Sequence, residues 1–150
     1  MQIRRAGPAD AADVRELTRS AYAKWVPLIG REPVPMVANY ERAVREHMID
    51  LLFVGAGLVA LIETVNKTDH LLIENLAVAP PFQGRGYGRL LLDHVERLAA
   101  SLRLPELKLY TNQQFATNIE FYSRHGFAVD REEPFMGGFK VHMSKHVTPA

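Results

Sequence analysis

The chain predicts an α+β fold in which helices cover the faces of a mixed β-sheet. One observation is that its hydrophobic period alternates between helix and strand in the order β-α-α-β-β-β-α-β-α-β-β. A second is a glycine-rich stretch, Gln83 to Gly88, joining a long apolar strand to the most regular helix in the sequence. Length is the third: 150 residues amount to one domain, since typical domains run ~100–150 residues. A chain of this size buries roughly 70% of its unfolded surface and needs no staple.

Taken in order, Gln2 to Arg5 is a short strand. Pro8 stands at a first helical position with Asp10 near the positive end of the dipole, and Val14, Leu17, Ala21 and Trp25 continue at helical spacing. Pro27, Gly30, Pro33 and Pro35 make Val26 to Pro35 a loop. A second helix carries Val37, Tyr40, Val44 and Met48 on one stripe. Leu51–Val54 and Leu58–Ile62 are strands joined through Gly55-Ala56-Gly57, and Asn66–Asp69 is a turn before a third strand, Leu71–Val78. Gly88–Leu102 is the clearest helix, with Leu91, Leu92, Val95, Leu98, Ala99 and Leu102 on one face. Leu107–Thr111 is a strand and Ala116–Arg124 a short helix. Phe127–Asp130 and Phe139–Ser144 are the last two strands.

Composition removes several function classes. Eighteen basic and seventeen acidic residues leave a net charge of +1, which offers no electrostatic case for nucleic acid or an anionic membrane as partner. Without cysteine there is no disulfide scaffold, thiol nucleophile, thiolate zinc site or iron–sulfur cluster. The six histidines are scattered; His142 and His146 fall on a strand end rather than a helix, and no metal is expected. No run approaches the ~20 apolar residues of a membrane span. The N-terminal residues lack an apolar signal core, so a cytoplasmic location is expected.

Gln83-Gly84-Arg85-Gly86-Tyr87-Gly88 opens the long helix. Alternating glycines let the backbone turn sharply, and the free N–H groups of the helix start make an anion site. A glycine-rich connection without a ligand fits the same residues. A P-loop would end in Gly-Lys-Ser/Thr, whereas Gly88-Arg89 stands here. A dinucleotide fingerprint needs G-x-G-x-x-G and an acid about 20 residues on, after the next strand; this loop is G-x-G-x-G, and Glu106 precedes its strand.

Ile73-Glu74-Asn75-Leu76-Ala77-Val78 followed by Gln83-x-x-Gly86-x-Gly88 resembles motif A of the GNAT superfamily of N-acetyltransferases. Asn118-Ile119-Glu120-Phe121-Tyr122-Ser123-Arg124-His125-Gly126-Phe127 is similar to its motif B, and the element order covers the whole chain. The resemblance implies acetyl-CoA as cosubstrate, lying between the strand that ends at Val78 and the strand Leu107–Thr111. Backbone groups of Leu76, Ala77 and Val78 would meet pantetheine. Gln83, Gly84, Arg85, Gly86, Tyr87, Gly88 and Arg89 would hold the pyrophosphate, and Asn118 and Phe121 would border the cofactor arm. It implies Tyr122 as proton donor to the departing thiolate and a backbone N–H near Leu76, freed by a bulge, as the group polarising the carbonyl. Packing against Phe121 and Phe127 would equally explain Tyr122, and an early helical turn would explain Asn118.

A free amine with a pKa of ~10.4 is mostly protonated at neutral pH, so a general base is useful. Glu74, a carboxylate on the central strand, is the expected base; many relatives carry the acid two residues earlier, where Leu72 stands. A salt-bridged strand residue is the other account of Glu74. The acceptor is expected beside the segment Tyr22–Tyr40, where Tyr22, Trp25, Arg31, Glu32, Met36 and Tyr40 supply aromatic walls and both charges, and beside a mobile loop Glu132–Gly138 carrying Phe135. An acetyltransferase acting on a small-molecule amine or a peptide is thus expected, with a homodimer left open. The competing classes are a non-catalytic acyl-CoA-binding module and a protein N-acetyltransferase.

Overall fold

The computed structural model describes residues 1–149. Its elements are β1 (Gln2–Arg5), α1 (Ala11–Tyr22), α2 (Val26–Ile29), α3 (Val34–Val37), α4 (Tyr40–Glu46), β2 (Met48–Val54) and β3 (Gly57–Asn66). There follow β4 (Leu71–Val78), α5 (Tyr87–Ser101), β5 (Glu106–Asn112), α6 (Ala116–Arg124), β6 (Ala128–Phe135) and β7 (Gly138–His146). The strands form one seven-stranded sheet in the order β1-β2-β3-β4-β5-β7-β6. Only β4 and β5 pair in parallel; every other neighbour is antiparallel.

Each face of the sheet carries its own core. On one face α5 lays Leu91, Leu92, Val95 and Ala99 against Ile62, Leu71, Ile73 and Leu107, joined by Tyr122 and Phe127. On the other, Val14, Leu17 and Ala21 of α1 and Tyr40, Ala43 and Val44 of α4 cover Ile49, Leu51, Leu61 and Ala77. Fully burying each large apolar side chain contributes about 1.5–3 kcal/mol, so these two layers hold the sheet between them.

Three local expectations are corrected. The stretch Val26–Pro35 is not simple loop: Val26–Ile29 makes one helical turn that ends at Gly30 in the left-handed region (φ +73°), and another turn begins at Val34. The second helix excludes Val37 and Met48. Asn39, whose side chain accepts from Arg42 N (3.1 Å), caps α4 one residue before Tyr40, and Met48 already belongs to β2. The proposed mobile loop Glu132–Gly138 is a β-hairpin instead, its register running to Phe135↔Gly138. Met136 (φ +49°) and Gly137 (φ +80°) both take the left-handed conformation that a two-residue hairpin turn demands.

The N-terminal strand is tied to the first helical turn electrostatically. Arg4 Nη1 and Nη2 donate to the two Asp10 carboxylate oxygens, each at 2.9 Å, and Gly7 N donates to Oδ2 at 2.8 Å. These bonds, the Arg4 pair foremost, hold the Asp10 carboxyl down to about 2. A depressed carboxyl stabilises the fold above its unfolded value of ~3.9, and the contribution disappears as pH falls through that value towards the folded one. Asp10→Asn is therefore expected to lower denaturant midpoints at pH 7, with the gap to wild type narrowing progressively below about pH 4. Urea melts at pH 7, 4.5 and 3 test it; a gap independent of pH would dismiss the ion pair as its source.

Candidate functional site

The site begins with a fault in β4. Glu63 pairs with Asn75 and Thr64 with Ile73, so Glu74 has no partner on β3 and forms a bulge. The extra residue switches the alternation of side chains. Leu71 and Ile73 belong to the α5 core before the bulge, while Ala77 belongs to the α1–α4 core after it, with Leu76 and Val78 turned to α5. Pairing with β5 also stops at this point: only Leu71↔Leu107 and Leu72↔Lys108 are in register. Beyond them the two parallel strands separate, as expected, but the bulge lies at Glu74 rather than beside Leu76.

The separation leaves β4 backbone groups without a strand partner. Tyr22 OH donates to Leu76 O at 3.4 Å, and the Gln83 side-chain amide donates to Val78 O at 2.9 Å. In a strand the N–H and C=O of one residue project to the same edge, so Leu76 and Val78 present both groups to the gap. A groove of about 320 Å³ runs along it, lined by Leu76, Ala77, Val78, Gln83, Gly84, Gly86, Tyr87, Gly88, Arg89, Asn118, Phe121 and Tyr122. Nearly all the residues expected at the cofactor thus meet in one groove. Arg85, exposed, sets its guanidinium 5.5 Å from the Phe82 ring centroid at the loop's edge.

Loop geometry explains the glycines. Gly84 (φ +78°) and Gly86 (φ +88°) are left-handed, and Gly86 caps the 15-residue helix α5, leaving its first-turn amides facing the groove. Gly88 serves packing: a Cβ there would come 3.1 Å from Phe121 Cζ. Those amides, the Arg85 and Arg89 side chains, and Lys24 (Nζ to Gln83 Oε1, 3.2 Å) suit a pyrophosphate. The β4 edge left unpaired at Leu76 and Val78 suits the amides of pantetheine, so the residues present fit coenzyme A.

Tyr122 is 8% exposed and reaches this groove from α6, its ring edge-on to Phe121 and Phe127. Burial, with the Tyr22 phenol nearby, pushes its hydroxyl well above the usual tyrosine range, so it stays protonated at neutral pH.

Across Tyr22, which lines both spaces, opens a second cavity of about 410 Å³. Tyr22, Arg31, Tyr40, Glu74, Tyr110, Phe115 and Phe135 are among its walls. Glu63 also reaches it, buried and bonded to His47 Nδ1 at 2.6 Å. Burial raises the Glu63 carboxyl despite that bond, and Glu74 adds to the rise. Burial likewise raises the Tyr22, Tyr40 and Tyr110 hydroxyls. Three expected acceptor residues lie elsewhere. Trp25 lines the cofactor groove and stacks on Phe115 (4.4 Å between centroids). Glu32 turns to Arg19. Met36 is buried, its carbonyl accepting from Arg19 Nη1 at 2.8 Å. Proline-rich chain hides which side faces inward, because it has no period. Glu63, Tyr110 and Lys140 went unanticipated: each sits on a strand whose alternation marks two faces without saying which one borders a cavity.

The comparisons agree with this geometry. N-alpha-acetyltransferase 80 of Mus musculus is 32% identical over 84 residues, which cover 56% of this chain and 25% of that protein. The match therefore spans about a quarter of that relative's length. The PaiA N-acetyltransferase of Thermoplasma acidophilum, solved in complex with coenzyme A, shares the fold at a TM-score of 0.76 and 19% identity, with 97% of this chain and 98% of that one covered. The ribosomal-protein-S18-alanine N-acetyltransferase of Escherichia coli also has a TM-score of 0.76 and 19% identity, over 99% and 95% of the two chains. At these identities the structures speak for the fold. The acetyltransferase (GNAT) family model matches residues 13–127, spanning the bulged strand, the glycine loop and the Tyr122 helix, and the chain belongs to that family.

Proposed function

We propose that the protein transfers an acetyl group from acetyl-CoA to a primary amine by direct attack in a ternary complex. The observation that carries this reading is the junction of two spaces at Tyr22: a groove fit for coenzyme A on one side and a cavity holding Glu74 on the other. Acetyl-CoA supplies the activated thioester. Glu74 takes the proton from the acceptor ammonium, directly or through water, and the freed nitrogen forms the new bond to the carbonyl carbon. The Leu76 N–H faces the developing oxyanion. As the carbon–sulfur bond breaks, the nitrogen gives up its second proton to water, while Tyr122 OH donates a proton to the leaving sulfur and regains one from solvent. Glu74 is preferred over Glu63 as base because His47 already engages Glu63.

A small acceptor is favoured by the Arg31–Phe135 contact, which links two walls of the cavity. A peptide acceptor is the second reading, favoured by the sequence match to an N-alpha-acetyltransferase. The test is an acetylation screen over amines, amino acids, polyamines and peptides with detection of free thiol. Thiol release that depends on an amine is expected; coenzyme A binding without release for any acceptor would indicate a non-catalytic module. Glu74→Gln should lower kcat by about 10²-fold with the KM for acetyl-CoA little changed. A larger loss from Glu63→Gln than from Glu74→Gln would transfer the base role to Glu63.

A further inference from the structure

The acceptor cavity is charged unevenly. Its floor on β3 and β4 is rich in acceptors: Glu74, Glu63 shared with His47, and Asn75. Asn75 is 3% exposed; its Nδ2 donates to Thr18 Oγ1 (3.1 Å) and Tyr40 OH (3.4 Å), leaving Oδ1 buried with no partner. An ammonium or amine N–H is the complement of such a surface.

The other wall carries two cations with no carboxylate in salt-bridge contact. Lys140 Nζ lies 4.1 Å from the Phe135 ring centroid and 4.2 Å from that of Tyr110. Arg31 Cζ lies 5.7 Å from the same Phe135 centroid. Neither makes a salt bridge among the described residues. Glu133, the cross-strand neighbour of Lys140, is occupied by His142 (3.1 Å) and Arg131 (3.9 Å). The remaining basic groups in the walls are compensated, Arg42 by Glu46 and His47 by Glu63. Two half-buried cations therefore share one aromatic ring and face a cavity whose opposite end attracts cations.

We propose that the acceptor is a small amino carboxylate, seated with its amine towards Glu74 and Asn75 and its carboxylate between Arg31 and Lys140. This deepens the acetyl-transfer reading and rests on it. The Arg31–Phe135 contact argues for a small molecule over a polypeptide. It links the chain between α2 and α3 to the β6–β7 hairpin, and a peptide crossing there would have to part the two walls. Aromatic side chains between the poles suit an apolar body. A carboxylate reaching both cations gains charge-assisted bonds that an amide cannot replace.

The test is calorimetry on protein saturated with coenzyme A, independent of turnover. Three matched sets are titrated, with aromatic, aliphatic and ω-amino skeletons, each as free acid, amide and decarboxylated amine. At least one free acid should bind ten-fold or more tighter than its amide and amine. That preference should vanish in the Arg31→Gln/Lys140→Gln double variant, with coenzyme A affinity unchanged and circular dichroism native. The proposal is overturned if amides or amines bind as well as the acids, if the preference survives in the double variant, if no set binds, or if peptides with a free N-terminal amine, titrated alongside, bind more tightly than every free acid. Thiol release in parallel separates the two levels: release with amines that lack a carboxylate preference keeps acetyl transfer and removes the amino carboxylate.

Discussion

Gly86→Glu is expected to abolish coenzyme A binding. Gly86 is the left-handed cap of α5 (φ +88°), and its neighbours' amides line the groove assigned to the pyrophosphate. No atom stands within 4 Å of a Cβ built there, so the Cβ itself meets no steric obstacle from the protein. It does place a carboxylate at the positive end of a 15-residue helix, where a phosphate should lie. Any side chain at this φ also costs about 1–2 kcal/mol of backbone strain. Gly86→Ala bears the same strain without charge and is the proper control. Calorimetry should show affinity reduced modestly in the alanine variant and lost in the glutamate variant, while both keep native circular dichroism. Equal affinities for the two variants would mean that anion recognition does not depend on this helix start.

Tyr122→Phe should reduce turnover by about 10²-fold while coenzyme A still binds. The ring packs edge-on with Phe121 (5.3 Å) and Phe127 (5.6 Å), contacts that phenylalanine preserves. The hydroxyl alone is removed, and with it the donor proposed for the departing sulfur. Burial keeps that donor protonated across the neutral range, so the loss should be nearly independent of pH between about 6 and 9. Single-turnover measurements keep product release from masking the chemical step. Undiminished turnover there would return Tyr122 to a packing role.

Much of the site follows from local sequence. The α5 stripe from Leu91 to Ala99 and the alternation of β4 are periodic, and the glycines at 84 and 86 need left-handed angles that few other residues adopt. These features place a glycine loop and an open helix start after a central strand whatever packs around it. Residues from Leu76 to Tyr122 consequently meet in one groove, as their motifs imply.

Tertiary structure decided the rest. A strand pattern tells how side chains alternate, but a bulge inserts a residue without leaving a mark in hydrophobicity, so the position of Glu74 emerges only from pairing with Glu63 and Thr64. The same bulge moves Asn75 and Ala77 to the α1–α4 face and ends the pairing with β5, which opens the gap. The segment from Val26 to Ala38 has prolines but no period, and its inward side is set by contacts far away in the chain: Glu32 is drawn to Arg19, whereas Arg31 is held over Phe135. Lys140 enters the cavity because β7 lies between β5 and β6, next to Tyr110. Local sequence thus determined the elements and the glycine loop, because helix, strand and turn formation depend on neighbours in sequence. The second cavity depended on strand order, register and one inserted residue, and these are settled only when distant segments compete for the same partners.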